Sequence, residues 1–215
     1  MRTKKKLSLS RLLTLVGKDE LRMEPAGDIQ SLRYDHRQVE AMALPANREI
    51  VLDGIEGNAL EIVAEIDPRS AAMVELNILR SPGKEEFTRI AFFKQRGFQN
   101  WEHFAGWGQW LDSCNSLITI DSSYSSELPD VSSRAPETAP VYLAPDEPLR
   151  LRIFIDKSVV EVFVNGKQCV ALRVYPGRAD STGVSLRAQG SEARLNHFEA
   201  WTMKSIYAAG EDSIG

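Results

Sequence analysis

The sequence predicts an all-β protein built as a β-sandwich. Apolar and polar residues alternate in many short segments, as expected for strands that bury one face. Turn residues separate these segments, and no long segment has helical periodicity. Hydrophobic residues make up 43% of the 215-residue chain, which is enough for a full core.

The clearest strands lie toward the C-terminal end. From Leu149 to Ile155 every second residue is apolar, which indicates a strand with one buried face. Val159 to Val164 is rich in β-branched and aromatic residues, which favour a second strand. Asn165 and Gly166 tolerate the positive φ angles of a type I′ turn, and a third strand is expected from Gln168 to Tyr175. These segments predict an antiparallel meander.

The N-terminal half continues the alternation. Leu7 to Val16 is expected to be a strand, and Ile29 to Tyr34 a short helical turn. Residues 48–54 predict a strand that ends in an Asp53-Gly54 turn. Further strands are predicted at Asn58–Asp67, Met73–Leu79 and Phe87–Phe93.

Charged residues on these strands are expected on solvated faces. Glu61 and Glu65 lie on the side opposite the apolar residues of their strand. Glu161 is expected to point outward or to cap an interface. Asp156 follows the first meander strand, at a turn where its side chain is expected to accept backbone N–H bonds. Neither Asp156 nor Glu161 is expected to carry chemistry.

Two segments depart from regular strands. Lys94 to Ser116 is rich in Trp and Gly, and Ser122 to Pro148 is rich in Ser and Pro. The second is expected to form an extended loop that wraps around the sandwich. We expect a disordered N-terminus at residues 1–6, one sandwich domain at residues 7–203 and a tail at residues 204–215.

The strand motifs resemble a known module. Leu151 to Gly166, followed by Arg-Val-Tyr-Pro at 173–176, is similar to the C-terminal β-sandwich module of glycoside hydrolase family 32. That family contains invertases, levanases and inulinases. Leu7 to Arg11 resembles the Leu-Ser-Leu-Pro-Arg segment at which the module begins, with Ser10 in place of Pro, and residues 183–186, 193–195 and 200–201 resemble its closing strands. The resemblance implies a two-sheet antiparallel β-sandwich, a concanavalin A-like (lectin/glucanase) jelly roll.

A β-fructosidase active site is not expected in this chain. A retaining glycosidase needs two carboxyl groups about 5–5.5 Å apart, one of them an acid/base with a raised pKa. The resemblance implies that the family carries its catalytic residues in Asn-Asp-Pro-Asn, Arg-Asp-Pro and Glu-Cys motifs on an N-terminal propeller. None of these motifs occurs in the sequence, and six residues precede Leu7. We therefore expect the isolated chain to be inactive as a glycosidase.

The Trp-rich segment is the candidate binding region. Trp101, Phe104, Trp107 and Trp110 recur every three residues. Flat aromatic rings fit sugar faces, so Trp101, Trp107 and Trp110 are candidate carbohydrate-binding residues. The alternatives are packing of the loop onto the sandwich, which is the favoured one, and an interface with another protein.

Composition and charge limit the classes of partner that the sequence predicts. The formal net charge of −4 is too small to indicate nucleic acid or an anionic membrane surface. No apolar run approaches the roughly 20 residues of a membrane span. Arg11 interrupts the apolar run near the N-terminus, and Lys18 begins a charged stretch where a signal-peptide cleavage site would stand. Export by this segment is not expected, which slightly favours a cytoplasmic location.

The residues that most often bind metals are scattered. The cysteines Cys114 and Cys169 and the histidines His36, His103 and His197 show no ligand-like spacing. We therefore expect no metal site and no cofactor. The two cysteines are either lone buried thiols, the more common case, or a disulfide.

Two functions stay open at this point. One is a non-catalytic structural module that supports a propeller supplied in trans or an oligomer. The other is a free-standing lectin-like module that binds fructan or another carbohydrate, which rests on fold analogy. A module that normally packs against a propeller exposes apolar surface when alone, so we also expect a homodimer or larger oligomer, with residues 7–16 or the Trp-rich segment at the contact.

Overall fold

Two antiparallel sheets face each other across a shared apolar core, which confirms the predicted all-β sandwich. The computed structural model describes residues 8–18, 20–96, 116–132, 134–144 and 146–206. In these ranges, fifteen strands and one 3-10 turn follow the chain.

The strand bounds follow the alternation of apolar residues. They are β1 Arg11–Val16, β2 Glu20–Pro25, β3 Arg33–Val39, β4 Met42–Leu44, β5 Glu49–Glu56, β6 Ala59–Asp67, β7 Met73–Arg80, β8 Thr88–Phe93, β9 Ser116–Asp121, β10 Glu137–Val141, β11 Leu149–Asp156, β12 Val159–Val164, β13 Gln168–Arg173, β14 Gly183–Gln189 and β15 Ala193–Met203. The first sheet contains β10, β9, β8, β7, β14 and β5 in that order. The second contains β13, β12, β11, β6, β15 and β3, and β4 also pairs with β15.

The core lies between the two sheets. On β6 the residues Leu60, Ile62, Ala64 and Ile66 all point into it, as their spacing predicts. Phe92 on β8 and Phe198 on β15 bring large rings into the same core from the two opposing sheets. The opposite side of each sheet, called its outer face below, carries the charged residues of both sheets.

The C-terminal meander is confirmed. β11, β12 and β13 pair antiparallel in order. Asn165 and Gly166 have φ angles of 50° and 64°, the positive values that a type I′ turn requires. β13 ends at Arg173, two residues earlier than predicted for a strand reaching Tyr175.

The predicted Asp53-Gly54 turn is wrong. β5 continues through these residues to Glu56, although Gly54 has a φ of 76°. The pairing of β5 with β14 shifts register between Gly183 and Ser185, which places an irregularity beside Gly54. A glycine with positive φ fits a β-bulge as well as it fits a turn, so the dipeptide alone does not end the strand.

The segment from Ser122 to Pro148 is only partly a loop. It contains β10, which pairs with β9 at one edge of the first sheet. Pro140 lies within this strand. A proline is tolerated there because an edge strand has one side that makes no ladder hydrogen bonds.

The N-terminal strands form a hairpin of their own. Among the described strands β1 pairs only with β2, from Arg11 opposite Pro25 to Val16 opposite Glu20, and neither of the two joins the large sheets. The predicted helical turn follows as a 3-10 turn at Ile29–Leu32, and β3 begins directly after it at Arg33.

Two contacts hold the end of β8 next to the start of β9. Phe93 pairs with Leu117, and the Gln95 backbone N–H donates to Ser116 Oγ at 3.0 Å. Residues 97–115, which include Trp101, Trp107 and Trp110, connect these two ends and lie outside the described residues.

Candidate functional site

Glu61 is fully buried on the outer face of the second sheet, where the sequence predicted a solvated position. Arg33 donates from Nε to Oε2 at 2.9 Å and from Nη2 to Oε1 at 2.6 Å. Arg152, on the neighbouring strand β11, donates from Nε to Oε1 at 2.7 Å. The expectation failed because strand periodicity assigns a face but does not reveal which side chains cover it.

The two arginines determine the charge state of Glu61. Burial acts to raise the pKa of Glu61, but the hydrogen bonds from Arg33 and Arg152 outweigh it and hold the pKa below its usual value. The carboxylate is therefore ionised and engaged by protein donors. Such a group stabilises the sheet and does not deliver protons.

Trp201 lies beside this ion network. Its ring contacts the Arg33 guanidinium, whose carbon is 4.0 Å from the ring centroid. The His36 imidazole stacks on it at 5.0 Å with an interplanar angle of 13°. His36 and His197 also approach the two carboxylate oxygens of Glu199 at 3.1 Å each. The single tryptophan in the described part of the chain is thus engaged by its own protein.

Glu161 anchors the N-terminal hairpin. Its side chain is 2% exposed, which excludes a solvated position and leaves the other expectation, that Glu161 caps an interface. The Leu9 backbone N–H donates to Oε2 at 2.7 Å, and Arg11 Nη2 lies 3.3 Å from Oε1. The Met23 backbone N–H donates to the Gly166 carbonyl at 2.7 Å, which fixes the second hairpin strand. Residues near the N-terminus therefore cover Glu161, although about 150 positions separate them in sequence.

The hairpin itself presents apolar side chains to solvent. Leu13 and Leu15 point to the same face because they are two residues apart on β1, and Leu21 of β2 stands opposite Leu15. These three side chains are 55%, 65% and 45% exposed. We call Leu13, Leu15 and Leu21 the hairpin patch. An apolar patch held on a fixed hairpin is typical of a protein contact.

Two further carboxylates organise the first sheet and its loops, and sequence patterns gave no signal for either. Glu49 accepts hydrogen bonds from Ser185, Arg80 and Lys84. Burial acts to raise the pKa of Glu49, but these donors outweigh it and bring the pKa to about 2.

Glu86, which is fully buried, accepts from the backbone N–H groups of Glu127, Gly177 and Arg178 and from the Ser181 hydroxyl. Burial raises the pKa of Glu86, but these hydrogen bonds outweigh it and lower the pKa. Glu86 thereby ties the loop after β9 to the loop after β13.

A cavity of about 390 Å³ opens at one end of the sandwich. We call it the end cavity. Its walls come from the end of β6, the end of β8 and the connection between β10 and β11. Charged and polar groups from all three, including Asp67, Lys94, Asp146 and Glu147, line it together with Phe92 and Leu143.

The other described residues that the sequence analysis considered make no contacts that indicate catalysis or metal binding. Asp156 is exposed, and the turn after it is fixed by the Lys157 N–H, which donates to the Asn58 carbonyl. Cys169 is a free thiol whose pKa burial raises to about 11, whereas Cys114 lies outside the described residues. Within the described ranges, no three metal-binding side chains gather to hold an ion, and no helix is long and apolar enough to cross a membrane.

Comparison with known proteins identifies the domain. The family model described as "Glycosyl hydrolases family 32 C terminal" matches residues 28–202. The chain belongs to this family. It therefore corresponds to the C-terminal domain of the family 32 β-fructosidases.

Curated relatives and solved structures agree with this assignment. A levanase from Bacillus subtilis is 25% identical over 85% of this chain and 24% of its own length. A raffinose invertase from Escherichia coli is 45% identical over 39% of the chain and 14% of its own length. The structure of fructan 1-exohydrolase IIa from Cichorium intybus has a TM-score of 0.73 and 22% identity over 91% of this chain and 40% of that one. This family 32 C-terminal domain thus spans well under half the length of these relatives.

The carboxyl groups of this family 32 domain whose pKa departs from its usual value all shift in one direction. Among the described residues, the pKa is lowered for Glu49, Glu61, Glu85, Glu86, Asp121, Glu147 and Asp180. A glycosidase acid requires the opposite shift. These seven carboxyl groups therefore do not have the raised pKa of a general acid.

Proposed function

We propose that this chain is a non-catalytic accessory domain that supports the catalytic part of a β-fructosidase-like glycoside hydrolase. The observation that carries the proposal is the state of its buried carboxylates. Glu61, Glu86 and Glu161 are each engaged by arginine or backbone donors, so none is available to protonate a leaving group. The parent activity would be hydrolysis of β-fructosidic bonds in sucrose or fructans.

The hairpin patch is the surface that we propose contacts the catalytic part. The family match begins at residue 28, so β1 and β2 precede the matched domain. In a relative whose sandwich is C-terminal, the rest of the chain also precedes that domain. A contact made by Leu13, Leu15 and Leu21 would therefore lie on the N-terminal side of the matched domain, which is the side on which the catalytic part of such a relative is joined to it.

The anchoring of the hairpin supports this role. Glu161 contacts Leu9 and Arg11, which lie just before and at the start of β1. The Gly166 carbonyl accepts a hydrogen bond from the Met23 backbone N–H on β2. A surface held in position before contact loses less conformational entropy when its partner binds. The exposed leucines are thus presented by a rigid support.

Hydrolysis assays with the purified chain test the non-catalytic role. We expect no release of fructose from sucrose or inulin at any pH between 4 and 8. Turnover that persists through successive purification steps and is absent from a mock purification would overturn the proposal.

A fusion tests the supporting role. The sandwich of the Escherichia coli raffinose invertase would be replaced by this chain, and the thermal inactivation of sucrose hydrolysis measured. We expect the fusion to outlast the truncated enzyme, and Leu15→Glu to remove that gain. Leu12→Glu, which alters another exposed leucine on the other face of β1, is the matched control. Equal effects of the two substitutions would contradict the proposed contact.

A second candidate function is carbohydrate binding by the isolated domain. The tryptophans for which it was first suggested, Trp101, Trp107 and Trp110, lie outside the described residues. The end cavity is the specific observation that favours this function, because clefts of a few hundred Å³ with a small number of convergent polar groups are typical ligand sites.

A further inference from the structure

We propose that the end cavity binds an uncharged sugar, an inference that rests on the second candidate function and gives it a site. The cavity is bounded by the ends of β6 and β8 and by Leu143, Ala144, Asp146 and Glu147. Its volume of about 390 Å³ falls within the range of small-molecule sites and suits one or two sugar rings.

The lining provides both kinds of hydrogen-bonding partner that a sugar hydroxyl needs. Asp67, Asp146 and Glu147 supply carboxylate acceptors, and Lys94 supplies an ammonium donor. A hydroxyl group donates and accepts at once, so it satisfies a carboxylate and an ammonium group together. Leu143, which is partly exposed, adds apolar surface on which the C–H groups of a sugar ring can pack.

Part of this lining is fixed in advance. Glu147 accepts from the Ala144 N–H at 3.1 Å and from Asn165 Nδ2 at 2.9 Å, and Lys167 lies 3.6 Å away. These contacts orient the carboxylate but leave lone pairs for a ligand. Because Asn165 belongs to the turn between β12 and β13, the cavity wall is tied to the rigid meander.

The charges favour an uncharged ligand over an anion. Three carboxylates line the cavity against two basic side chains, Arg69 and Lys94. Both basic groups are already engaged: Arg69 pairs with Glu192 and Asp67, and Lys94 donates to the Arg69 carbonyl. A sugar phosphate would add negative charge beside three carboxylates whose neighbouring basic groups are already engaged, whereas a sugar adds no charge.

The test is a titration of the isotope-labelled chain with sucrose and with inulin, followed by backbone amide shifts in NMR. We expect a Kd on the order of 1 mM, as befits a small polar ligand in an open cavity. The shifts should concentrate on Lys94, Ala144 and Glu147. Fructose 6-phosphate should bind more weakly than fructose.

Two substitutions separate the cavity from other sites. Asp146→Asn should weaken sucrose binding about tenfold, the usual effect of losing one charged hydrogen-bond partner. Ala144→Tyr should abolish binding, because its ring would fill the cavity while the backbone N–H that binds Glu147 remains. Asp53→Asn, an exposed carboxylate on β5, should leave binding unchanged.

Each negative outcome has its own meaning. Sucrose binding that survives Ala144→Tyr but is lost with Trp107→Ala would overturn the cavity site while leaving carbohydrate binding intact. The absence of any shift at roughly 50 mM sucrose, well above the expected Kd, would overturn both. Neither result bears on the supporting role, which the fusion tests separately.

Discussion

Arg33 donates two parallel hydrogen bonds to Glu61, at 2.9 and 2.6 Å. This bidentate pair, joined by Arg152, lies on the outer face of a sheet whose other face forms the core. Bidentate pairs between arginine and carboxylate are among the strongest polar contacts in proteins. Removal of the carboxylate charge from such a buried pair leaves two guanidinium groups without a counter-ion.

We predict that Glu61→Gln lowers the free energy of unfolding by about 3 kcal/mol. Urea denaturation followed by circular dichroism measures the loss. Glu65→Gln is the control, since Glu65 lies on the same strand and the same face but pairs with a mostly exposed arginine, Arg150. Its cost should stay below about 0.5 kcal/mol. Similar losses for the two variants would show that the buried ion pairs of Glu61 stabilise the fold no more than the exposed pair of Glu65.

Stability should fall in acid through Glu49. The pKa of this carboxyl is lowered to about 2 in the folded chain, from an ordinary value of 4.5. A lowered pKa means that the ionised group stabilises the fold above its unfolded pKa and that this contribution is lost as the pH falls. The loss should therefore occur between about pH 4.5 and pH 2.

The Glu49→Gln variant isolates that contribution. It should be less stable than the parent chain at pH 7, and the difference should shrink as the pH approaches 2. Thermal melting at half-unit pH steps measures both curves. A difference that stays constant across this range would contradict the prediction.

Glu161→Gln should loosen the hairpin without unfolding the sandwich. The substitution weakens the bonds that Glu161 makes to Leu9 and Arg11. Hydrogen exchange at the Leu9 amide should accelerate about tenfold, the equivalent of one weakened hydrogen bond, while β6 and β11 retain their protection. Glu24→Gln, on the exposed side of β2, is the matched control and should leave exchange unchanged. Unaltered exchange at Leu9 in Glu161→Gln would argue against the anchor.

Without a catalytic partner, the hairpin patch should bring two chains together. At a concentration of about 100 µM, light scattering should give a mass near twice the 24.0 kDa of one chain. Leu15→Glu should return the mass to that of a monomer, whereas Leu12→Glu on the opposite face should not. A monomeric parent chain at this concentration would rule out the dimer.

Local patterns predicted the strands well where one face is buried. The meander from β11 to β13 follows from alternation and from Asn165-Gly166, because both signals act between residues close in sequence. The Asp53-Gly54 turn was wrong because a positive φ serves a bulge as readily as a turn. The sequence analysis did not predict β10, because a strand that contains a proline is expected only at the edge of a sheet. Whether a segment lies at an edge depends on the arrangement of the whole sheet, which local patterns do not give.

The buried carboxylates could not be predicted in this way. Glu161 is covered by Leu9 and Arg11, which lie far from it in sequence, and Glu61 is covered by Arg33 and Arg152 from two other elements. A period of two gives the direction of a side chain but contains no information on what lies above it. The resemblance to family 32 identified the fold, and the contacts of these glutamates had to come from the structure.

The hydrogen bond between Gln95 and Ser116 adds one contact beyond the last residue pair of the β8–β9 ladder. β8 and β9 are thus held in register by contacts that their own residues make. Strand ends fixed in this way have their separation set by the sheet, and doubling the length of a flexible loop between two fixed ends costs only about 0.6 kcal/mol. Gln95 and Ser116 therefore form a defined pair of anchor points between which a foreign peptide could be grafted and displayed.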